Sequence, residues 1–172
     1  MEDTKEQLTQ KVRDWLIAVT GLPAKRVIPV DDDGTRRKLP YLTVSISASD
    51  TEEGTDEVHY SYNDATDELE VLVSMDRHAT ASINGYGRVA GELINRAARS
   101  LSKPSGHRLL SELKLSIEPL NDTQEISQTV EPAREKRFVR DFRVHYRLLV
   151  DDEPTPYLAR FEAQVTTTME KP

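Results

Sequence analysis

From Phe138 to Val150 the chain alternates without a break, with Phe138, Arg140, Phe142, Val144, Tyr146, Leu148 and Val150 all on one parity. Successive side chains of an extended strand point to opposite faces, so an alternation of this length commits the chain to one long β-strand with an apolar face turned toward a core. A half-buried strand needs a sheet around it, and the C-terminal neighbour supplies one partner. After the polar turn Asp151-Asp152-Glu153-Pro154-Thr155-Pro156, the residues Tyr157, Ala159, Phe161, Ala163 and Val165 alternate again before a polar tail over about 167–172. The two runs predict a terminal hairpin.

Three earlier segments carry the same period of two. Tyr41 to Ala48 places Leu42, Val44, Ile46 and Ala48 on one face; Val58, Tyr60 and Tyr62 follow beyond a polar break around Gly54; Leu69, Val71, Val73 and Met75 continue in the parity of Ala79, Ala81 and Ile83. This last strand is long, or broken near Asp76-Arg77-His78. Two segments switch to helical spacing. Leu8, Val12, Trp15, Leu16 and Val19 recur every three or four residues behind Thr4 and Gln7, which have the form of a capping box. Gly21 and Pro23 stand where a helix stop belongs. Val89, Ala90, Leu93, Ile94, Ala97 and Leu101 form a second stripe that ends before Pro104. A short helix over Arg108 to Lys114 and a short strand over Leu115 to Glu118 are expected next, and Ser116 to Glu131 otherwise has loop character. Ala24 to Pro40 reads as a long irregular loop. The expected fold class is α+β: an antiparallel sheet with the N-terminal helix and the second helix packed on one face.

At 172 residues the chain fits one domain, 1–172. A formal net charge of -7 opposes nonspecific attraction to the outside of nucleic acid or to anionic membrane. The absence of cysteine removes thiolate catalysis and the usual structural zinc sites. The opening Met1-Glu2-Asp3-Thr4-Lys5-Glu6 lacks a basic region followed by an apolar run, so neither a signal peptide nor a membrane span is expected, and the chain is expected to act in the cytoplasm.

The motifs with the residue types for chemistry fail on spacing. Asp31-Asp32-Asp33 before Gly34 has the acidity of a calcium loop, but its twelfth position is Leu42 where such a loop needs a bidentate glutamate. A solvated acidic turn is the expected reading; a metal-dependent hydrolase or nuclease built on the triplet is the rival from another class. His59, His78, His107 and His145 are scattered, without metal-ligand spacing. Ser74, Asp76 and His78 lack the nucleophile elbow of a hydrolase. Gly85-Tyr86-Gly87 lacks the third glycine and the lysine of a phosphate loop, and reads as a tight strand-to-helix turn. No catalytic residue, metal site or cofactor is therefore expected.

Two charged features point toward partners. Asp31, Asp32, Asp33, Arg36, Arg37 and Lys38 bring opposite charges together in the loop, which suits contact between identical subunits. The second parity of the long C-terminal strand carries Arg137, Arg143, His145 and Arg147, interrupted by Val139 and Asp141. Such a basic ladder in an acidic chain either lies neutral on an exposed sheet face, pairs with acidic surface on a neighbouring subunit, or faces a polyanion such as DNA in a channel.

Several stretches together resemble the neck terminator or tail terminator proteins of tailed bacteriophages. They are Asp14-Trp15 and Thr20-Gly21-Leu22 in and after the opening helix, Arg26-Val27-Ile28-Pro29, and Leu39-Pro40-Tyr41-Leu42-Thr43-Val44. Ser82-Ile83-Asn84-Gly85-Tyr86-Gly87 leading into the Ala90 to Leu101 helix, and the arginine-rich Arg134 to Tyr146, complete the likeness. Where that family tends to place an arginine-proline pair shortly before the proline-tyrosine, this chain has Arg36-Arg37-Lys38. The resemblance implies a virion structural protein that forms a ring, commonly hexameric, between head connector and tail. Its partners would be copies of itself, head connector or adaptor proteins and the tail tube protein, with genomic double-stranded DNA passing through the lumen. It implies assembly in the host cytoplasm, and no enzyme, cofactor or membrane. A tail tube or head-completion subunit is the nearest alternative of the same class.

Overall fold

The computed structural model describes residues 2–30, 38–52, 54–63, 68–126, 128–130 and 133–152. The apolar stripe of the opening segment forms α1, Glu2–Thr20, with Leu8, Val12, Trp15 and Leu16 buried. The helix begins at Glu2, two residues before the Thr4 at which the capping-box pattern places its start. Gly21 ends it with a φ of 74° and donates its N–H to the Ile17 carbonyl at 3.0 Å, the left-handed stop that glycine adopts without strain.

Beyond α1 the expected irregular loop is partly ordered. A 3-10 turn, Ala24–Arg26, leads into β1, Val27–Pro29. β1 pairs in parallel with β2, Tyr41–Glu52, in the register Val27↔Leu42, Ile28↔Thr43 and Pro29↔Val44. The sheet is therefore mixed and not purely antiparallel. A parallel neighbour requires a crossover of about a dozen residues, and the segment from Val30 to Pro40 has that length. Pro29 is tolerated because β1 lies at the sheet edge. Arg13 of α1 donates to the Val27 carbonyl at 2.9 Å and ties the helix to this edge.

β3, Glu57–Asn63, runs antiparallel to the first half of β4, Glu68–Tyr86. β4 is continuous through Asp76-Arg77-His78, where the alternation alone allows a break. α2, Ala90–Ser100, follows the Gly85-Tyr86-Gly87 turn. Gly87 has a φ of 102°, and a Cβ at Gly85 would stand 2.8 Å from that of Ala90, so one glycine supplies the turn and the other lets helix and strand approach. α3 spans Pro104–Glu112, starting four residues before the expected Arg108. Pro104 opens this helix as well as closing the previous one, since a first-turn proline loses no hydrogen bond.

β5, Ser116–Pro119, and β6, Gln124–Glu125, both pair antiparallel with β9, Arg137–Asp152. β7, Gln128–Val130, and β8, Ala133–Glu135, form a separate two-stranded sheet. β5 lies one residue beyond the short strand expected over Leu115 to Glu118, whereas β6, β7 and β8 occupy the stretch that reads as loop because none is long enough to show a period. The main sheet runs β1-β2-β4-β9-β5, with β3 also on β4 and β6 also on β9. The α+β class holds, and among the described residues the three helices share one core with β1, β2, β5 and the residues of β4 and β9 from 79 to 83 and 142 to 144. The expected last strand over Tyr157 to Val165 and the polar tail lie outside the described residues.

The chain forms two compact units, one of residues 1–51 and 77–146 and the other of residues 52–76 and 147–172. Among the described residues the first contains all the helices. Its core joins Trp15 of α1 edge-on to Phe142 of β9, ring centroids 5.5 Å apart, with Ile83 and Ile94 also fully buried. The second contains β3 and the outer portions of β4 and β9; Val71 is buried there while Val58 and Tyr60 on β3 are exposed.

Candidate interaction surfaces

Each member of the basic ladder that the sequence singles out has a partner inside this chain. Arg137 donates from Nη2 to Asn84 Oδ1 at 3.0 Å, and its guanidinium lies 5.5 Å from the centre of the Tyr86 ring. That ring stacks on Tyr41 at 4.5 Å. Arg143 donates to Glu118 Oε1 at 3.0 Å, and His145 Nε2 is 3.6 Å from the same oxygen. The β5–β9 register brings Glu118 opposite Arg143 and explains the pairing. In the second unit Arg147 clamps Asp76 with both prongs, Nε to Oδ1 at 2.7 Å and Nη2 to Oδ2 at 3.0 Å. The bond to Asp76 and its charge, with Glu57 adding less, raise the guanidinium pKa above its already high ordinary value.

Asp141, which interrupts the ladder, is a structural anchor. Its carboxylate accepts from Ser82 Oγ at 2.5 Å and from Asn121 Nδ2 at 2.8 Å. Its backbone N–H donates to Asn121 Oδ1 at 2.9 Å, and its carbonyl accepts from the Leu120 N–H at 3.0 Å. The connection between β5 and β6 is thereby fixed to the sheet. On the other parity, Arg140 keeps only 12% of its side chain exposed, reaches Asn95 Oδ1 at 3.4 Å and stands 3.9 Å from Asp122. Asn95 also accepts from Thr123 at 2.7 Å, so α2 and the same connection share one polar junction.

Among the acidic and basic loop residues, Lys38 is exposed, whereas Asp31, Asp32, Asp33, Arg36 and Arg37 lie outside the described residues. Other exposed groups that periodicity does not single out gather at the ends of the strands. The backbone of Gly87 lies against Leu39 and Pro40, where a Cβ would stand 3.4 Å from the Leu39 Cβ. This sets Leu39 against the turn that precedes Arg88 and Val89, with Leu39 43% and Val89 54% exposed. On the β5–β6 side, Leu120 and Ile126 are 42% and 43% exposed, with Asp122 fully exposed between them.

Among the described residues no group of three or more histidine, aspartate or glutamate side chains is placed to hold a metal ion. Asp76 is occupied by Arg147, and the His78 ring faces that of His145 at 6.1 Å. Among the described residues no helix is long and apolar enough to cross a membrane. A comparison with curated proteins gives no match. A family model described as phage neck terminator protein matches residues 6–171, from α1 through nearly the end of the chain. The chain thus belongs to the phage neck terminator protein family, structural components of the virion neck.

Proposed function

We propose that this chain forms a closed ring at the head–tail junction, commonly of six copies in proteins it resembles, ending the tail tube or joining it to the head connector while genomic DNA passes through the centre. The observation that carries the reading is the family match over residues 6–171.

The loop candidates Asp31, Asp32, Asp33, Arg36, Arg37 and Lys38 are assigned to contacts with neighbouring subunits or with the proteins above and below. Within the ladder of Arg137, Arg143, His145 and Arg147, the last three are assigned a passive role, while Arg137, whose partners Asn84 and Tyr86 carry no charge, keeps its positive charge. Free arginines facing a duplex grip phosphate and release counterions, which holds DNA in place. Arginines already paired with Glu118 and Asp76 present little net charge, and a polyanion slides past such a surface instead of binding it. The test is the mass of the purified chain by sedimentation velocity and native mass spectrometry. A single closed oligomer is expected; a monomer that never joins a particle in assembly reactions with connector and tube proteins overturns the reading.

A further inference from the structure

The helical segment from Arg88 to Lys114 is basic within an acidic chain. Arg88, Arg96, Arg99, Lys103, Arg108 and Lys114 are answered there by only two carboxylates, Glu92 and Glu112, a net charge of +4 where the whole chain carries -7. Arg96, Arg99 and Lys103 follow one another at three and four residues, so they fall along one side of α2 and the turn that ends it. Lys103 directly precedes α3, and Arg108 stands one turn into that helix. All four are exposed. Arg96, Lys103 and Arg108 make no ion pair among the described residues; Arg96 donates to the Thr20 carbonyl at 3.3 Å, while Arg99 shares the exposed Glu92. The hydroxyl-bearing Ser102, Ser105 and Ser111 lie exposed along the same two helices. Between Val89 and Leu120 no large apolar side chain is exposed, and between Tyr86 and Phe138 the chain has no Phe, Tyr or Trp.

We infer that this surface of α2 and α3 binds double-stranded nucleic acid through its phosphates, without reading bases. Three properties select that occupant. Cations spread over about 10 Å from Arg96 to Lys103, and onward to Arg108, suit a repeating row of phosphates, whereas a single small anion neutralises only one of them. A protein partner buries an apolar centre inside a polar rim, and this surface offers serines and cations with no exposed large apolar side chain. Unpaired strands are held by stacking their bases on aromatic rings, which the segment lacks, so the backbone is what it can grip. The chain as a whole repels a duplex, and this surface is the local exception, supplying the free cations that the paired ladder lacks. The inference stands on this charge pattern and not on the ring, since closure into a ring and affinity for a duplex are separate measurements.

The test is fluorescence anisotropy of a labelled mixed-sequence duplex titrated with the full chain over a range of salt. Contacts from Arg96, Arg99, Lys103 and Arg108 set an expected slope of about -3.6 in log K against log salt, at about -0.9 for each phosphate neutralised. Binding then weakens about a hundredfold between about 50 and 200 mM salt. Lys103→Gln combined with Arg108→Gln is expected to reduce the slope to about -1.8 and to weaken binding at the lowest salt by roughly tenfold or more. Lys103→Arg combined with Arg108→Lys keeps both charges and is expected to keep both the slope and the affinity. These side chains are exposed, and circular dichroism checks that each variant folds. A wild-type chain that leaves the duplex unbound at about 50 mM salt, or a double-glutamine variant with the wild-type slope, overturns the inference. A double-glutamine variant that loses oligomer mass while binding the duplex as before also overturns it, and assigns the surface to an acidic protein partner. Rings that ignore the duplex sink this inference alone, whereas a monomer that binds it with the expected slope sustains the inference and removes the ring.

Discussion

Replacing Gly106 with alanine separates packing from propensity, because the two make opposite forecasts. Gly106 lies within α3, and in an exposed helix interior Gly→Ala stabilises by about 1 kcal/mol. Here a Cβ would fall inside the van der Waals shell of the Ser100 carbonyl oxygen and stand 2.8 Å from the carbonyl carbon, both atoms of the α2 backbone. Nonbonded carbons rest at ~3.5–4.0 Å, so α3 must retreat from the end of α2 by roughly 1 Å. Overpacking of this kind costs about 1–3 kcal/mol. The retreat also strains the bond from the Lys103 N–H to the same Ser100 oxygen, 3.0 Å long, a contribution of about 1 kcal/mol. After the propensity gain is subtracted, a net loss of about 2 kcal/mol is expected, lowering Tm by roughly 4–8 °C for a chain of this size. Trp15 is the only tryptophan and is fully buried in the first unit, so its fluorescence during thermal or urea unfolding reports on this unit directly. A variant as stable as the wild type, or more so, refutes the reasoning.

Three further outcomes are expected. Asp141→Ala leaves partly buried Ser82 and Asn121 without their acceptor, and should cost about 1–3 kcal/mol and speed hydrogen exchange at residues 120–126; unchanged exchange there removes Asp141 as the anchor. Asp76→Asn breaks the clamp on Arg147, a pair so exposed that Tm is expected to move by no more than ~2 °C. Because the arginine pKa is raised, whatever the pair contributes is present below the free arginine value and lost only as pH rises through the still higher folded value; a loss between neutral pH and mild alkali in the wild type, absent from the variant, contradicts this. Changing Arg36, Arg37 and Lys38 together to glutamate is expected to reduce ring assembly in low salt; intact rings and infectious particles from that chain end the role assigned to the loop.

The parts of the fold that are legible in the sequence are those where a single element announces itself. Leu8, Val12, Trp15 and Leu16 define α1, Gly21 ends it, and the alternation from Phe138 onward locates β9 within two residues at either end. Elements of two or three residues carry too few side chains to express a period, which hides β1, β6, β7 and β8. Pro104 is legible as a stop for α2 but not as the start of α3, because proline serves both ends of a helix gap. The parallel placement of β1 depends on the path of the connection to β2, and no local pattern encodes it. The basic ladder shows a deeper limit. Spacing along one strand reveals Arg143, His145 and Arg147, but the carboxylates that answer them sit on β5 and β4 and emerge only from cross-strand register. Leu39, Val89, Leu120 and Ile126 lie at strand ends, where the sequence offers no face to which they should belong.

The central claim is a single ring of this chain at the neck, and electron cryo-microscopy of purified virions addresses it without intermediate assumptions. The account requires one annular layer, fitted by the α1–α3 helices over the mixed sheet, between the head connector and the end of the tail tube. Copies repeating along the tube, or particles complete without this chain, would contradict it.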